Sequence, residues 1–188
     1  MSADHAARPV VFTGSSIIAA WESLPRFFPE WHLLNTAVGG YQTHDVLAHA
    51  HEMLLRHAPR AVCYYCGSND ICNDVPPDTI IRNVTEAWSL VRAQAPDCIF
   101  IYLSVIRAPQ KRGRMHVVDD VNARMAAMAA TTPGMHFVDI NPVFLAPDGT
   151  PRMEFYLEDE LHLTPAAYEA LGAYTAPRLR AIVAASTP

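Results

Sequence analysis

The fold is decided near the start of the chain by the stretch Pro9-Val10-Val11-Phe12-Thr13-Gly14-Ser15-Ser16-Ile17-Ile18. Its apolar run predicts a buried parallel strand, and the Gly-Ser-Ser turn before Ile-Ile predicts an abrupt change into a helix. Ser16 would then lie at the carboxyl end of the strand, where the free N–H groups of a helix start favour a developing anion. Taken alone, the stretch also fits the commoner role of such a serine, which is to cap the helix. The remaining chain must decide between these two roles.

Length and composition predict a single globular domain, which we place at residues 1–188. A chain of 188 residues can bury a full core without disulfides, and 51% of these residues are hydrophobic while 18% are charged. The formal net charge of -5 argues against binding to nucleic acid or to an anionic membrane surface. We therefore expect a small-molecule partner and no nucleic acid, and the sequence leaves open whether copies of the chain form a homo-oligomer.

The sequence also predicts a cytoplasmic protein without a membrane span. Residues 1–8 lead directly into the first strand without a basic and apolar leader, and no apolar run approaches the roughly 18 residues of a transmembrane helix. Four cysteines are too few and too unevenly spaced for a secreted disulfide framework. Cys63 and Cys66 have the spacing of a redox or zinc pair, but a strand would point them to opposite faces.

Strands and helices are predicted to alternate along the whole chain. After the first strand, apolar runs predict further strands at 32–38, 60–66, 98–105 and 135–140. Helical periodicity predicts helices at 43–57, from 77 to about 95, from about 115 to 130, and from 165 to about 184. This alternation predicts an α/β fold, a three-layer α/β/α sandwich around a five-stranded parallel sheet. Residues 141–160 form a long segment with little periodicity, which is typical of a functional loop.

The histidines of one predicted helix and the basic residues of one loop each have a functional and a structural interpretation. The helix at 43–57 carries His44, His49 and His51, but their spacing fits a solvated face better than a metal site. The loop from Arg107 to Arg114 is the only basic cluster, and it follows the fourth strand. It could attract an anionic substrate, although a solvated loop is the commoner outcome.

Candidate functional residues follow several of the predicted strands. Ser16, Gly40 and Asn69 follow the first three, and Asp159 and His162 come after the long segment. Each has a structural explanation of its own: Gly40 and Asn69 suit turns, Asp159 suits the approach to a helix and His162 a surface. Because the carboxyl ends of parallel strands share one edge of the sheet, where ligands bind, we expect all five residues to form one site.

Four short blocks carry a resemblance to a known family. They are Gly14-Ser15-Ser16, Asn35-Thr36-Ala37-Val38-Gly39-Gly40, Gly67-Ser68-Asn69-Asp70 and Asp159-Glu160-Leu161-His162. In this order they resemble the conserved blocks of the SGNH (GDSL-type) hydrolases, esterases and lipases with a flavodoxin-like sheet. Ser15 stands where the family has aspartate, and Ala37 and Tyr41 stand where its second block commonly has glycine and an acidic residue.

The resemblance implies a serine esterase with a catalytic triad and an oxyanion hole. Ser16 matches the nucleophile, His162 would accept its proton, and Asp159 would orient the imidazole. The oxyanion donors would be the backbone N–H groups of Ser16 and Gly40 and the side-chain amide of Asn69. This chemistry requires no metal and no cofactor, and the rate should fall in acid as the imidazole becomes protonated.

The predicted function is hydrolysis of small or short-chain acyl esters through an acyl-enzyme on Ser16. A carbohydrate O-deacetylase or an acyltransferase would use the same site. A non-catalytic flavodoxin-like module holding an anion at the Gly-Ser-Ser loop is a further alternative, although the chain lacks the usual glycine-rich phosphate motifs. Tyr41, Met153, Phe155 and Tyr156 lie beside the motifs, where they would line a substrate pocket or simply anchor the loops.

Overall fold

The computed structural model describes residues 7–185 and contains a five-stranded, all-parallel sheet in the order β2-β1-β3-β4-β5. The strands are β1 (Val10–Gly14), β2 (Leu33–Asn35), β3 (Ala61–Tyr65), β4 (Ile99–Leu103) and β5 (Met135–Val138). The predicted fold class is therefore confirmed, including the flavodoxin-like strand order. The chain runs outward from β1 to β2 and then crosses to β3 on the other side, so the strand order reverses at β1 and β3. The prediction that the chain starts without a leader segment concerns residues 1–8, and residues 1–6 of these lie outside the described residues.

Helices cover both faces of the sheet. They are α1 (Ser16–Ala19), α2 (Leu24–Phe27), α3 (Thr43–Ala48), α4 (Ala50–Met53), α5 (Ser68–Cys72), α6 (Pro77–Gln94), α7 (Met115–Thr131) and α8 (Pro165–Ala185). Short 3-10 turns occur at Leu55–His57, Pro109–Arg114, Asn141–Val143 and Met153–Phe155. None of the helices within residues 7–185 is long and apolar enough to cross a membrane.

The core consists of two apolar clusters, one on each face of the sheet. Alternate strand residues divide between them: Val10 and Phe12 pack with α1, α2 and α8, whereas Val11 packs with α3, α6 and α7. Cys63 and Cys66 belong to opposite clusters and both are free thiols. The strand interpretation is thus correct for this pair, and its spacing carries no redox or zinc chemistry.

Two predicted elements depart most from expectation, and a side-chain hydrogen bond marks each departure. β2 ends at Asn35, whose side chain donates to Ile18 O (2.8 Å) and accepts from Ala37 N–H (3.1 Å), so that the chain turns away from the sheet. The helix expected at 43–57 is broken into α3, α4 and a 3-10 turn. The hydroxyl of Thr36 donates to Met53 O (2.9 Å) at the break. The segment 141–160 is irregular, as predicted, but two 3-10 turns organise it.

Gly14 makes the abrupt turn after β1 possible. Its φ is +127°, and a Cβ atom at this position would lie 1.8 Å from the carbonyl oxygen of Tyr65 in the neighbouring strand. The next residue, Ser15, donates its backbone N–H to that same carbonyl (3.1 Å). Only glycine permits both this backbone conformation and this close approach, and the turn delivers Ser16 to the edge of the sheet.

Candidate active site

Ser16 lies at the first position of α1, with its side chain directed to a histidine and not to the helix. Its Oγ donates to Nε2 of His162 at 3.1 Å, across 146 positions of sequence. No side-chain hydrogen bond caps α1, so the capping interpretation is wrong. Because α1 is only four residues long, its dipole is small, and the expected helix-terminus effect reduces to the backbone N–H of Ser16 itself.

His162 and Asp159 form a second contact on the far side of the imidazole. Nδ1 of His162 donates to Oδ2 of Asp159 at 2.5 Å, which leaves Nε2 as the acceptor for Ser16. The other carboxylate oxygen accepts the backbone N–H groups of Leu161 (3.0 Å) and His162 (2.9 Å). These hydrogen bonds, foremost that from the His162 side chain, lower the pKa of Asp159 to about 2. The carboxylate is therefore ionised and oriented at any pH at which a neutral imidazole exists.

Gly40 and Asn69 lie on elements that are tied to the Ser16 turn. Gly40, with a φ of +82°, follows β2 on a loop whose Val38 N–H donates to Gly14 O at 3.0 Å. Asn69 lies in the first turn of α5, and its Nδ2 donates to Tyr41 O on the same loop at 2.9 Å. Within residues 7–185, the backbone N–H groups of Ser16 and Gly40 donate to no protein acceptor. All five predicted site residues thus occur at one edge of the sheet.

A buried carboxylate next to Asn69 fixes the far end of that loop. Both oxygens of Asp70 accept the backbone N–H of Thr43 (3.1 and 3.0 Å), and Oδ1 also accepts its hydroxyl (2.5 Å). The amide of Asn83 donates to the same hydroxyl at 3.0 Å. Burial raises the pKa of Asp70, and the bonds from Thr43 oppose that shift. The sequence analysis named Asp70 within its block but predicted no role for it. The signal that could have indicated one was the predicted helix start at Thr43, whose free backbone N–H needs an acceptor.

The segment that carries His162 is held by a few long-range contacts. Tyr156 and Leu163 form an isolated antiparallel bridge, and Leu157 N–H donates to His162 O at 2.8 Å. Glu160, with a φ of +58°, makes the tight turn between them. Its side chain pairs with both terminal nitrogens of Arg112, and its carbonyl accepts Gln110 N–H at 3.2 Å. The 3-10 turn at 109–114 therefore braces the histidine segment.

The basic loop does not present free positive charge to a substrate. Arg107 pairs with Asp119, Arg112 with Glu160, and Arg114 with Asp74. Lys111 is instead buried, and its Nζ has no hydrogen-bond partner. Burial lowers the pKa of this amine to about 8. The arginines neutralise neighbouring carboxylates, so the loop serves packing more than anion attraction.

The four predicted pocket residues separate into two groups. Phe155 and Tyr156 are buried in the core, where their rings pack against Phe144. We correct their assignment accordingly: they anchor the segment and do not line an open pocket. Met153 is exposed, and Tyr41 lines a cavity of about 460 Å³ beside β2, whose lining includes neither Ser16 nor His162.

The histidines of the broken helix have ordinary partners. His44 lies 3.3 Å from a carboxylate oxygen of Asp45, and His51 lies 3.6 Å from one of Glu52. The ring of His49 packs against that of Tyr41, with 5.5 Å between centroids. In the part of the chain that the structure describes, no three histidine, cysteine or carboxylate side chains are grouped to hold a metal ion.

Several known proteins are similar to this chain in sequence or in fold. Platelet-activating factor acetylhydrolase IB subunit alpha1 from Homo sapiens is 27% identical over 168 residues, covering 85% of this chain and 70% of the relative. The arylesterase of Vibrio mimicus is 24% identical over 193 residues, covering 95% of this chain and 91% of the relative. A solved structure of a GDSL-like lipase from Bacteroides thetaiotaomicron shares the fold, with a TM-score of 0.78, 23% identity, and coverage of 95% of this chain and 89% of that one.

The sequence model of the GDSL-like lipase/acylhydrolase family matches residues 12–170, which include every residue of the site. That range runs from β1 into α8 and so covers most of the chain. The resemblance drawn from the four blocks is confirmed, and the chain belongs to the GDSL-like lipase/acylhydrolase family of the SGNH hydrolase superfamily.

Proposed function

We propose that this protein is a serine carboxylic-ester hydrolase that acts on small or short-chain acyl esters through an acyl-enzyme on Ser16. One observation carries the proposal: the chain Ser16 Oγ, His162 Nε2, His162 Nδ1 and Asp159 Oδ2 is continuous, with contacts of 3.1 and 2.5 Å. A hydroxyl, an imidazole and a carboxylate in this order are the parts that acyl transfer needs.

In the first half of the reaction, the hydroxyl oxygen of Ser16 attacks the ester carbonyl carbon while its proton passes to Nε2 of His162. The imidazolium that forms is stabilised by the carboxylate of Asp159. When the tetrahedral intermediate collapses, the bond to the alcohol oxygen breaks and that oxygen takes the proton from Nε2. Ser16 then carries the acyl group as an ester, and the alcohol leaves.

In the second half, water replaces the alcohol. His162 accepts a proton from the water as its oxygen attacks the acyl carbon, and the proton then returns to the oxygen of Ser16. The products are a carboxylic acid and the original enzyme. An acyltransferase would differ only in using a second alcohol instead of water, so products formed with a competing alcohol separate the two reactions.

Three donors are available to the negative oxygen of the intermediate. They are the backbone N–H of Ser16, the backbone N–H of Gly40 and the second hydrogen of the Asn69 amide, whose first is held by Tyr41 O. Because these donors are fixed before the reaction, they need no reorganisation when charge develops. Loss of one such donor typically costs about 3 kcal/mol of transition-state stabilisation.

The names of the relatives support a small acyl group. The human relative is called an acetylhydrolase, which refers to a small acyl group, whereas the name of the Vibrio relative, arylesterase, refers to the alcohol part of the ester. A non-catalytic anion-binding module is a weaker alternative, because it assigns no purpose to the contacts among Ser16, His162 and Asp159. A carbohydrate O-deacetylase would use the same residues, and a screen of acetylated sugars against simple acetates distinguishes it.

A fluorophosphonate probe tests the proposal directly. The probe should label Ser16, as located by peptide mapping, and Ser16→Ala should abolish both labelling and the turnover of 4-nitrophenyl acetate. Ser15→Ala is the matched control, since it removes a neighbouring buried hydroxyl that forms no cap and should leave labelling intact. Undiminished turnover by Ser16→Ala would refute the mechanism.

A further inference from the structure

Exposed large apolar side chains are concentrated on the two chain segments that carry proposed site residues. In the part of the chain that the structure describes, the large hydrophobic residues with more than a third of their surface exposed are Val38, Leu90, Met153 and Leu157. Val38 lies on the loop that carries Gly40, and Met153 and Leu157 lie on the segment that carries His162. Only Leu90 lies elsewhere, on α6. An apolar side chain in this position is available to contact a substrate.

Leu157 is placed next to the imidazole by the pairing of the histidine segment. The bridge between Tyr156 and Leu163 is flanked by hydrogen bonds from Leu157 N–H to His162 O and from Thr164 N–H to Phe155 O. Leu157 and His162 are therefore opposite each other in an antiparallel pair, where side chains share one face. Tyr156 and Leu163 are buried, and Phe155 on the other side of the bridge is buried as well, whereas Leu157 at the turn end of the pairing is 48% exposed.

The chemistry of acyl transfer specifies which part of the ester this leucine would contact. The alcohol oxygen must receive its proton from His162, so the alcohol part of the substrate lies on the imidazole side of Ser16. The carbonyl oxygen lies on the side of its donors at Gly40 and Asn69. Leu157 therefore borders the space for the alcohol part, whatever acyl group is transferred.

We propose that Leu157 is a specificity-determining residue that selects esters of apolar, aryl or alkyl, alcohols over esters of polyhydroxy alcohols such as sugars. The inference rests on the proposed function of the same site and adds to it the class of alcohol. An apolar alcohol covers the exposed leucine and removes its surface from water. A sugar would bring hydroxyl groups against a side chain that cannot hydrogen-bond to them.

The test compares benzyl acetate with 2-hydroxyethyl acetate, two acetates of primary alcohols, one with an apolar ring and one with a second hydroxyl group. The readout is the ratio of kcat/KM for the two esters, because expressing the result as a ratio removes any uniform effect on the catalytic groups. Leu157→Asn, a polar side chain of similar size, should lower this ratio by about five- to twentyfold. Leu157→Phe should hold or raise it.

Leu90→Asn is the matched control, since Leu90 is 42% exposed on a helix outside the site. It should leave the ratio within twofold of the wild-type value. The inference is overturned if Leu157→Asn and Leu90→Asn give the same ratio, or if Leu157→Asn lowers kcat/KM equally for both esters. If the wild-type protein hydrolyses neither ester and is not labelled at Ser16, the proposed function itself has failed.

Discussion

The two halves of the site are held in different ways. Ser16 follows β1, a strand buried along its whole length and paired with β2 on one side and β3 on the other. His162 lies on an irregular segment, its side chain is 39% exposed, and it depends on one isolated bridge and the brace at 109–114. The sheet thus positions the proposed nucleophile rigidly, whereas a small number of loop contacts position the proposed base. Changes in the first half should break the fold, and changes in the second should mainly alter the rate.

The largest effect is expected at Gly14, in the sheet half. Gly14→Ala would place a methyl group 1.8 Å from the carbonyl oxygen of Tyr65 at a φ of +127°. The backbone of β1 or β3 must move to relieve this contact, which should cost several kcal/mol. Because the free energy of unfolding of a domain is only about 5 to 15 kcal/mol, little folded protein should remain. Urea unfolding followed by circular dichroism measures the loss.

Gly149 provides the matched control in the histidine segment. It also has a positive φ, of +83°, but a Cβ atom there would meet nothing within 4 Å. Gly149→Ala should therefore lose only the conformational term, about 1 kcal/mol. Equal destabilisation by the two substitutions would contradict the contrast between the two halves.

A smaller effect, on rate and not on folding, is expected at Asp159. Asp159→Asn keeps the shape of the side chain but removes the charge that stabilises the imidazolium, and it allows the wrong imidazole tautomer. By analogy with serine triads, kcat should fall by roughly 10² to 10⁴ with little change in Tm. The rate of 4-nitrophenyl acetate hydrolysis and a thermal melt measure the two quantities.

Asp148→Asn is the control for this change, because Asp148 also accepts a backbone N–H and a hydroxyl within the same segment, from Thr150. It should leave kcat near the wild-type value. The pH dependence adds a further check: the pKa of Asp159 is lowered to about 2, so its stabilising bonds persist until the pH falls toward that value. Loss of activity in mild acid must then come from another group.

The smallest effect is expected at Lys111, the single lysine of the chain, which lies in the brace of the histidine segment. Burial lowers its pKa from 10.5 to about 8, so between these values the unfolded chain binds more protons than the folded one. Stability should therefore rise with pH across this range. Lys111→Met should stabilise the protein by about 2 kcal/mol at pH 7, and this gain should shrink toward pH 10.

Urea titrations at several pH values measure this difference, with Arg112→Met as the control. Arg112 is an exposed residue of the same turn that pairs with Glu160, so its loss should change stability little and without the same pH dependence. A gain from Lys111→Met that is independent of pH would show that the folded and unfolded chains bind the same number of protons, and that burial does not lower the pKa of this amine.

The sequence alone determined the sheet and the principal residues of the site. Buried parallel strands are continuous apolar runs, so β1, β3, β4 and β5 could be located without coordinates. The four blocks pointed to Ser16, Gly40, Asn69, Asp159 and His162 through their resemblance to the family, since they occur in the family's order along the chain. These features depend on local pattern and on chain order, both of which can be read directly from the residues.

Only the tertiary structure decided which side chains of the irregular segments face the core and which are exposed. Phe155 and Tyr156 turned out to be buried, Lys111 lies inside, and Leu157 is exposed beside His162. Asp70 and Thr43 meet across 27 positions of sequence. An irregular segment has no fixed period, so the direction of each side chain depends on contacts with residues far away in the chain, and these exist only once the sheet has assembled.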